Sequence, residues 1–321
     1  MRLFIYGISS LSFWAAASRG PLRRDRLNAD VLLDCEPTPK ALFHLESQFP
    51  WIPMPYHLST TSQRRKPLSD AVNHLCIKKP EGKAFCRIGN GLYASTPELC
   101  FLQLASWLSF HELVRAGNLL CGSFTIDPAD DGALIARPPL TTKRRIQNFL
   151  NANQGIPGIK KALKALPWVT EKTASPPEAF LAMVLGLPFR LGGLQIRGLE
   201  ANRRLEPSRK AQTIAGRSTL VPDLLLRDSR LAIEYDSTAE HAESRQLTRD
   251  AQKRLALEAD GYKIVTVTTK QLANRFEMRR IAEQIYRHQG MRFRPQSQLF
   301  NEQQVRLFRM GWSLEALWTH P

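Results

Sequence analysis

The chain has 321 residues, with 45 Lys and Arg against 29 Asp and Glu, for a formal net charge of +16. Hydrophobic residues make up 43% and charged residues 23%, a globular composition, and the length suggests two domains or one elaborated domain. No apolar run approaches the roughly 18–20 residues of a membrane helix, and the 21 prolines and 18 glycines are scattered. Membrane-spanning, collagen-like and low-complexity classes are therefore excluded, and the basic excess favours phosphate-bearing partners.

Residues 1–18 loosely imitate a secretory signal, with Arg2, an apolar stretch and the small residues Ala15, Ala16 and Ala17. Gly7, Ser9, Ser10 and Ser12 interrupt that stretch, and nothing later looks secreted, so the expected compartment is the cytoplasm. The five cysteines, Cys35, Cys76, Cys86, Cys100 and Cys121, include no two-residue spacing of a zinc or redox motif. Cys100 and Cys121 sit in apolar surroundings and are expected to be core thiols.

Residues 50–67 are rich in Pro and Arg and carry few regular signals. Residues 93–124 read as two short helices, with Ser95/Glu98 and Ser109/Glu112 as capping boxes. Residues 127–140 are loop-like. Residues 141–165 read as two helices around Gly155-Ile156-Pro157-Gly158, with Lys143, Arg144, Arg145, Lys160, Lys161 and Lys164. Two readings stand here: a helix–turn–helix that contacts phosphates, or an αα-hairpin with a basic solvent face. A domain boundary is expected near residue 170. The first domain, 1–170, is then mainly helical or mixed, and residues 291–321 form a C-terminal extension. Within that extension, a helix over 301–318 with Val305, Phe308, Trp312 and Trp318 either packs on the core or docks a partner.

After residue 170 the pattern becomes more orderly. Ser175, Pro176 and Glu178 open a helix that runs to about Leu185. Residues 219–226 and 231–236 read as two strands joined by the polar turn Arg227-Asp228-Ser229-Arg230. Whether the loop has two residues or four, Leu226 pairs with Leu231 and Asp223 lies opposite Glu234, on one sheet face. Asp236 points the same way as Glu234. Three carboxylates on one face repel each other, and a divalent cation would relieve them: Mg²⁺ accepts one or two carboxylates with waters and phosphate oxygens. Alternatively, Glu234 and Asp236 are solvated strand residues. A helix follows over 244–260, closed by Gly261, with an apolar stripe Leu247, Ala251, Leu255 and Ala259 and an expected Asp250–Arg254 ion pair. A strand from about Tyr262 to Thr268 and a helix over 270–288 complete this part.

Pro222-Asp223, then Glu234-Tyr235-Asp236, His241, Asp250, Arg254 and Gly261-Tyr262, in this order of elements, resemble the restriction-endonuclease-like fold. More narrowly, they resemble the very-short-patch-repair-type domains of the PD-(D/E)XK superfamily. The resemblance covers Ser175 to His288, within an expected domain of residues 171–290, and implies an α/β core, a central mixed sheet flanked by helices. It implies Mg²⁺ (or Mn²⁺) held by Asp223 and Glu234, with Glu178 leaning toward the same ion or serving only as a capping acid, and hydrolysis of DNA phosphodiesters. The family's usual lysine is replaced by Asp236, which cannot stabilise developing negative charge; Lys253 on the next helix would substitute for it. His241 would act as general base or contact the scissile phosphate, or else fix the strand–helix junction. The rival implication is a DNA-binding regulator, repressor- or antitoxin-like, that keeps the fold without turnover; a module binding RNA or a protein is a third. The segment from Asp223 to Asp260 holds nine acids against six bases, an acidic island in a basic chain.

Overall fold

A computed structural model describes residues 2–16, 26–35, 37–61, 68–127, 130, 133–237, 244–295 and 297–313. The chain is mixed α/β and divides into two units, with the boundary between Glu171 and Lys172. Among the described residues no helix is long and apolar enough to cross a membrane.

The first unit runs through β1 (Leu3–Ile5), α1 (Gly7–Ala16), β2 (Arg26–Asn28), α2 (Pro39–Gln48), β3 (Tyr56–Thr60), β4 (Ala71–Leu75), β5 (Lys83–Gly89) and β6 (Leu92–Ser95). It continues with α3 (Pro97–Leu104), α4 (Phe110–Cys121), β7 (Phe124–Ile126), β8 (Leu134–Ala136), α5 (Lys143–Ala152) and α6 (Ile159–Ala165). Six strands form one mixed sheet in the order β2-β5-β6-β1-β3-β4, and β7 pairs with β8 as a separate hairpin. The stretch that imitates a signal sequence thus supplies a central strand and a buried helix. Its serines are satisfied inside: Ser10 Oγ donates to Ile5 O at 2.8 Å, Ser12 Oγ to Ile8 O at 3.0 Å, and Ser9 Oγ accepts from His57 N at 2.9 Å. Gly7 makes the strand-to-helix turn at φ +46°, where a Cβ would sit 2.8 Å from the Trp107 ring. Phe4 stacks on Tyr93 at 4.6 Å and meets Phe85 edge-on at 5.1 Å.

Several expectations are corrected here. The Pro-rich stretch contains β3, and residues 127–140 include β8. The cap of α3 is Thr96, whose Oγ1 accepts from Leu99 N, because Ser95 is the last residue of β6. Ser109 and Glu112 do form a capping box on α4. Cys100 and Cys121 are fully buried. In the basic pair α5–α6, Lys143 Nζ donates to Pro167 O and Lys161 Nζ to Leu108 O, so two of the six cations tie the pair to its own unit.

The second unit runs through α7 (Pro176–Gly186), β9 (Leu199–Ala201), α8 (Arg209–Ala215), β10 (Leu224–Leu226), β11 (Leu231–Asp236), α9 (Ser244–Ala259) and β12 (Lys263–Thr268). It ends with α10 (Thr269–Ala273), α11 (Arg275–His288) and α12 (Gln298–Met310). Its sheet order is β12-β11-β10-β9; β10 is antiparallel to both neighbours and β11 is parallel to β12. The hairpin register is Leu224↔Ile233, Leu225↔Ala232 and Leu226↔Leu231. The strand expected over 219–226 is only β10, because Pro222 has no N–H for a ladder and Leu220 instead makes an isolated bridge with Leu205.

Helix α9 covers the sheet with Ala256 and Leu257, which cluster with Ala232, Ala211, Ala215 and Leu220. The stripe read in steps of four is therefore not its inner face: Leu255 is 55% exposed, and Ala251 and Ala259 face solvent. Arg254 donates to Thr266 Oγ1 at 3.1 Å rather than pairing with Asp250. At the C-terminus, α12 buries Phe300, Gln304 and Leu307, and Arg279 donates to Gln304 Oε1 at 2.7 Å and Asn301 Oδ1 at 2.6 Å. The helix expected over 301–318 thus begins at Gln298 and packs within this unit. Trp318 lies outside the described residues.

Candidate functional site

The ladder between β10 and β11 sets up the site. One residue before β10, Asp223 accepts the Tyr235 N–H on Oδ2 at 2.7 Å, so a side chain continues the hydrogen bonding where the strand stops. Glu234 lies two residues beyond Ala232 on the same strand face, the face that α9 covers. Along α9, Lys253 stands three residues before Ala256 and four before Leu257, hence on the helix's inner face. Its ammonium reaches Glu234 Oε2 at 2.6 Å and lies 4.0 Å from Asp223 Oδ1. The three side chains are only 16–20% exposed.

Two acids and one base in so little water leave the charges unbalanced. The Asp223 carboxyl is pushed up to about 7, first by burial, then by repulsion from Glu234 and Glu178, with Lys253 and the Tyr235 N–H pulling the other way. Glu234 is also raised by burial, against the stabilising Lys253 ammonium. Glu234 Oε1 is buried and has no hydrogen-bond partner among the described residues.

No family model, curated protein or solved structure matches this chain. The site is therefore read from its own geometry.

Glu178 is buried on α7, and its oxygens are already in use. Oε2 accepts from Ala174 N at 2.8 Å and Asn202 Nδ2 at 2.9 Å, while Oε1 accepts from Ser175 Oγ at 3.0 Å. Glu178 thus reaches past the N-cap to the Ala174 N–H and closes no capping box with the Ser175 N–H, and its charge is still felt by Asp223 and Glu234. Asp236 ends β11 opposite Thr268, half-buried and on the Glu234 face. His241 lies outside the described residues. Among the described residues no three His, Cys, Asp or Glu side chains gather into a metal cage. The donor set is instead a pair, Glu234 with an unpartnered buried oxygen and Asp223 with Oδ1 beyond hydrogen-bond reach of Lys253. Carboxylates are the donor type that Mg²⁺ takes, one or two at a time with several waters.

One residue of the site was not foreseen. Asn202, at φ +47°, follows β9, donates its backbone N–H to Asp223 O at 3.0 Å, and donates its side-chain amide to Glu178 Oε2 and to Lys172 O at 3.0 Å. It joins the helix carrying Glu178 to the chain carrying Asp223. The only signal in the sequence is the tolerance of Asn for left-handed backbone, which is too common to single out one residue.

Proposed function

We propose that the unit from Lys172 to Ser313 is a restriction-endonuclease-like domain of the PD-(D/E)XK type, and that it hydrolyses phosphodiester bonds in DNA with Mg²⁺ or Mn²⁺. One observation carries the reading: the Lys253 ammonium lies 2.6 Å from Glu234 and 4.0 Å from Asp223. Two carboxylates, one just before β10 and one on β11, with one lysine are the groups that the resemblance requires, although the lysine comes from a helix and Asp236 stands in its usual strand position. The order α7-β9-α8-β10-β11-α9-β12 supports the same reading, as does the basic excess of the chain.

Asp223 and Glu234 would hold the cation, which supplies polarisation of the scissile phosphate and a lower pKa for a bound water. Lys253 places a positive charge where the phosphorane oxygens develop negative charge. The Tyr235 N–H holds the Asp223 carboxylate in one orientation, and Asn202 fixes Glu178 so that its charge faces the pair at a constant distance. Asp236, at the strand end, and His241 are left as assisting groups, to orient or deprotonate water.

A second reading, a DNA-binding regulator that keeps this fold without turnover, is favoured by the same lysine. Its short contact to Glu234 already neutralises charge that a cation would otherwise neutralise. Supercoiled plasmid with Mg²⁺ or Mn²⁺ separates the two. Nicking by wild type that is lost in Asp223→Ala and Glu234→Ala supports the nuclease; an intact plasmid bound equally by all three proteins supports the regulator.

A further inference from the structure

The hairpin turn at the other end of β10 and β11 is unusually well fixed for a surface turn. Arg230 N donates to Arg227 O at 3.0 Å. The end of α11 clamps the turn from outside: His288 Nε2 donates to Ser229 O at 2.8 Å, and Gln289 Nε2 to Ser229 Oγ at 3.4 Å. Between the turn, the residues before β9 and the end of α11 lies a cleft of about 400 Å³. Arg197, Arg227 and His288 line it from three separate segments, Leu226 and Met291 add apolar wall, and Asp228 is the one acid. Among the described residues neither Arg197 nor Arg227 forms an ion pair or a side-chain hydrogen bond. Two arginines lining one cleft suit an anion with several acceptor oxygens, since a guanidinium can bind a phosphate through two parallel N–H bonds.

We infer that this cleft binds a phosphate group. Arg227 lies four residues from Asp223 along one arm of the hairpin, about 13 Å at strand rise, which is roughly the axial rise of four nucleotides in one strand of a duplex. In a bound nucleic acid the cleft therefore holds a backbone phosphate a few nucleotides away from the one at Asp223 and Glu234. The source of the phosphate rests on the nuclease reading; the pocket itself does not.

The test is binding of a short labelled DNA duplex in EDTA, so that no cleavage contributes, by wild type, Arg197→Ala, Arg227→Ala and Asp228→Asn. All three positions are at the surface, and thermal melting checks that each variant is folded. Each Arg→Ala change is expected to weaken binding several-fold and to lower the slope of log affinity against log salt by about 0.9. Asp228→Asn should tighten binding. A second arm measures the rise in melting temperature with inorganic phosphate alone. A rise lost in Arg227→Ala assigns the cleft to small phosphates, whereas an effect of the variants on the duplex alone assigns it to the backbone. If the folded variants match wild type with both probes, the cleft is not a phosphate site. The plasmid assay is scored independently, so failure of the cleft and failure of the nuclease reading give different patterns.

Discussion

Replacing Lys253 with Met removes the ammonium while keeping most of the side chain's length and apolar packing. At an effective dielectric constant of about 20, gross attractions of roughly 6 kcal/mol to Glu234 and 4 kcal/mol to Asp223 disappear. The desolvation cost of the ammonium disappears with them, and breaking a buried pair typically costs a net of about 3–5 kcal/mol. Here the carboxyls can escape part of that cost by taking up protons, since Asp223 already stands at about 7 with the lysine in place. The net loss expected at pH 8 is about 2–3 kcal/mol, or near 10 °C in the melting temperature of a unit of about 140 residues.

The pH dependence has a definite sign. A carboxyl whose folded pKa is raised contributes stability that is fully present below its unfolded value near 4 and is lost as pH rises through the folded value. Without the ammonium both folded values climb further, so the deficit of Lys253→Met should be small at pH 5 and grow toward pH 8. Millimolar Mg²⁺ should restore part of it, because a cation binding only the folded form stabilises by mass action. Calorimetry at pH 5, 6.5 and 8, with and without Mg²⁺, checks this. Melting curves for Lys253→Met that parallel wild type at every pH would refute the charge balance described here.

Two further outcomes follow from the structure. Asn202→Ala removes the amide bonds to Glu178 and Lys172 and places a Cβ residue without a local polar partner in left-handed backbone, so urea unfolding should show a loss of about 2 kcal/mol. Asn202→Gly, which tolerates that backbone, should lose less. In the first unit, His57 Nδ1 and His74 Nε2 share a 2.8 Å hydrogen bond between stacked rings, and burial holds both below the usual imidazole value, His74 at about 4. The folded form therefore binds fewer protons than the unfolded one between pH 4 and 6.5. Its stability should fall as pH drops through that window, and an NMR titration should show His74 still neutral at pH 5.5.

The candidate site was more legible in the sequence than the fold around it. The hairpin register followed from parity alone: loops of two or four residues place Asp223 opposite Glu234, and the observed pairs keep that register. The stripe in steps of four departs from the inner face of α9 because each such step drifts by about 40° around the helix. Leu255 is the large apolar residue on that stripe, while Ala256 and Leu257 make the contact. The sheet of the first unit was largely illegible because its strands are short and polar, as in His57-Leu58-Ser59-Thr60 or Ala71-Val72-Asn73-His74-Leu75. Strand β3 is held between β1, far earlier in the chain, and β4, which pairs only with it, and no local periodicity displays such pairing.

The lysine's seat on α9 has a consequence for how this chain tolerates changes in length. Its position is pinned by the packing of Ala256 and Leu257 on the sheet and by the turn at Gly261, and not by the length of chain that links it to Glu234. Residues added or removed before Ser244 leave the ammonium where it is. A single residue inserted between Arg254 and Gly261 turns it about 100° around the helix axis and out of reach of both carboxylates. Among related chains, the spacing from Glu234 to the lysine should therefore drift freely, while the spacing from the lysine to the glycine turn stays fixed.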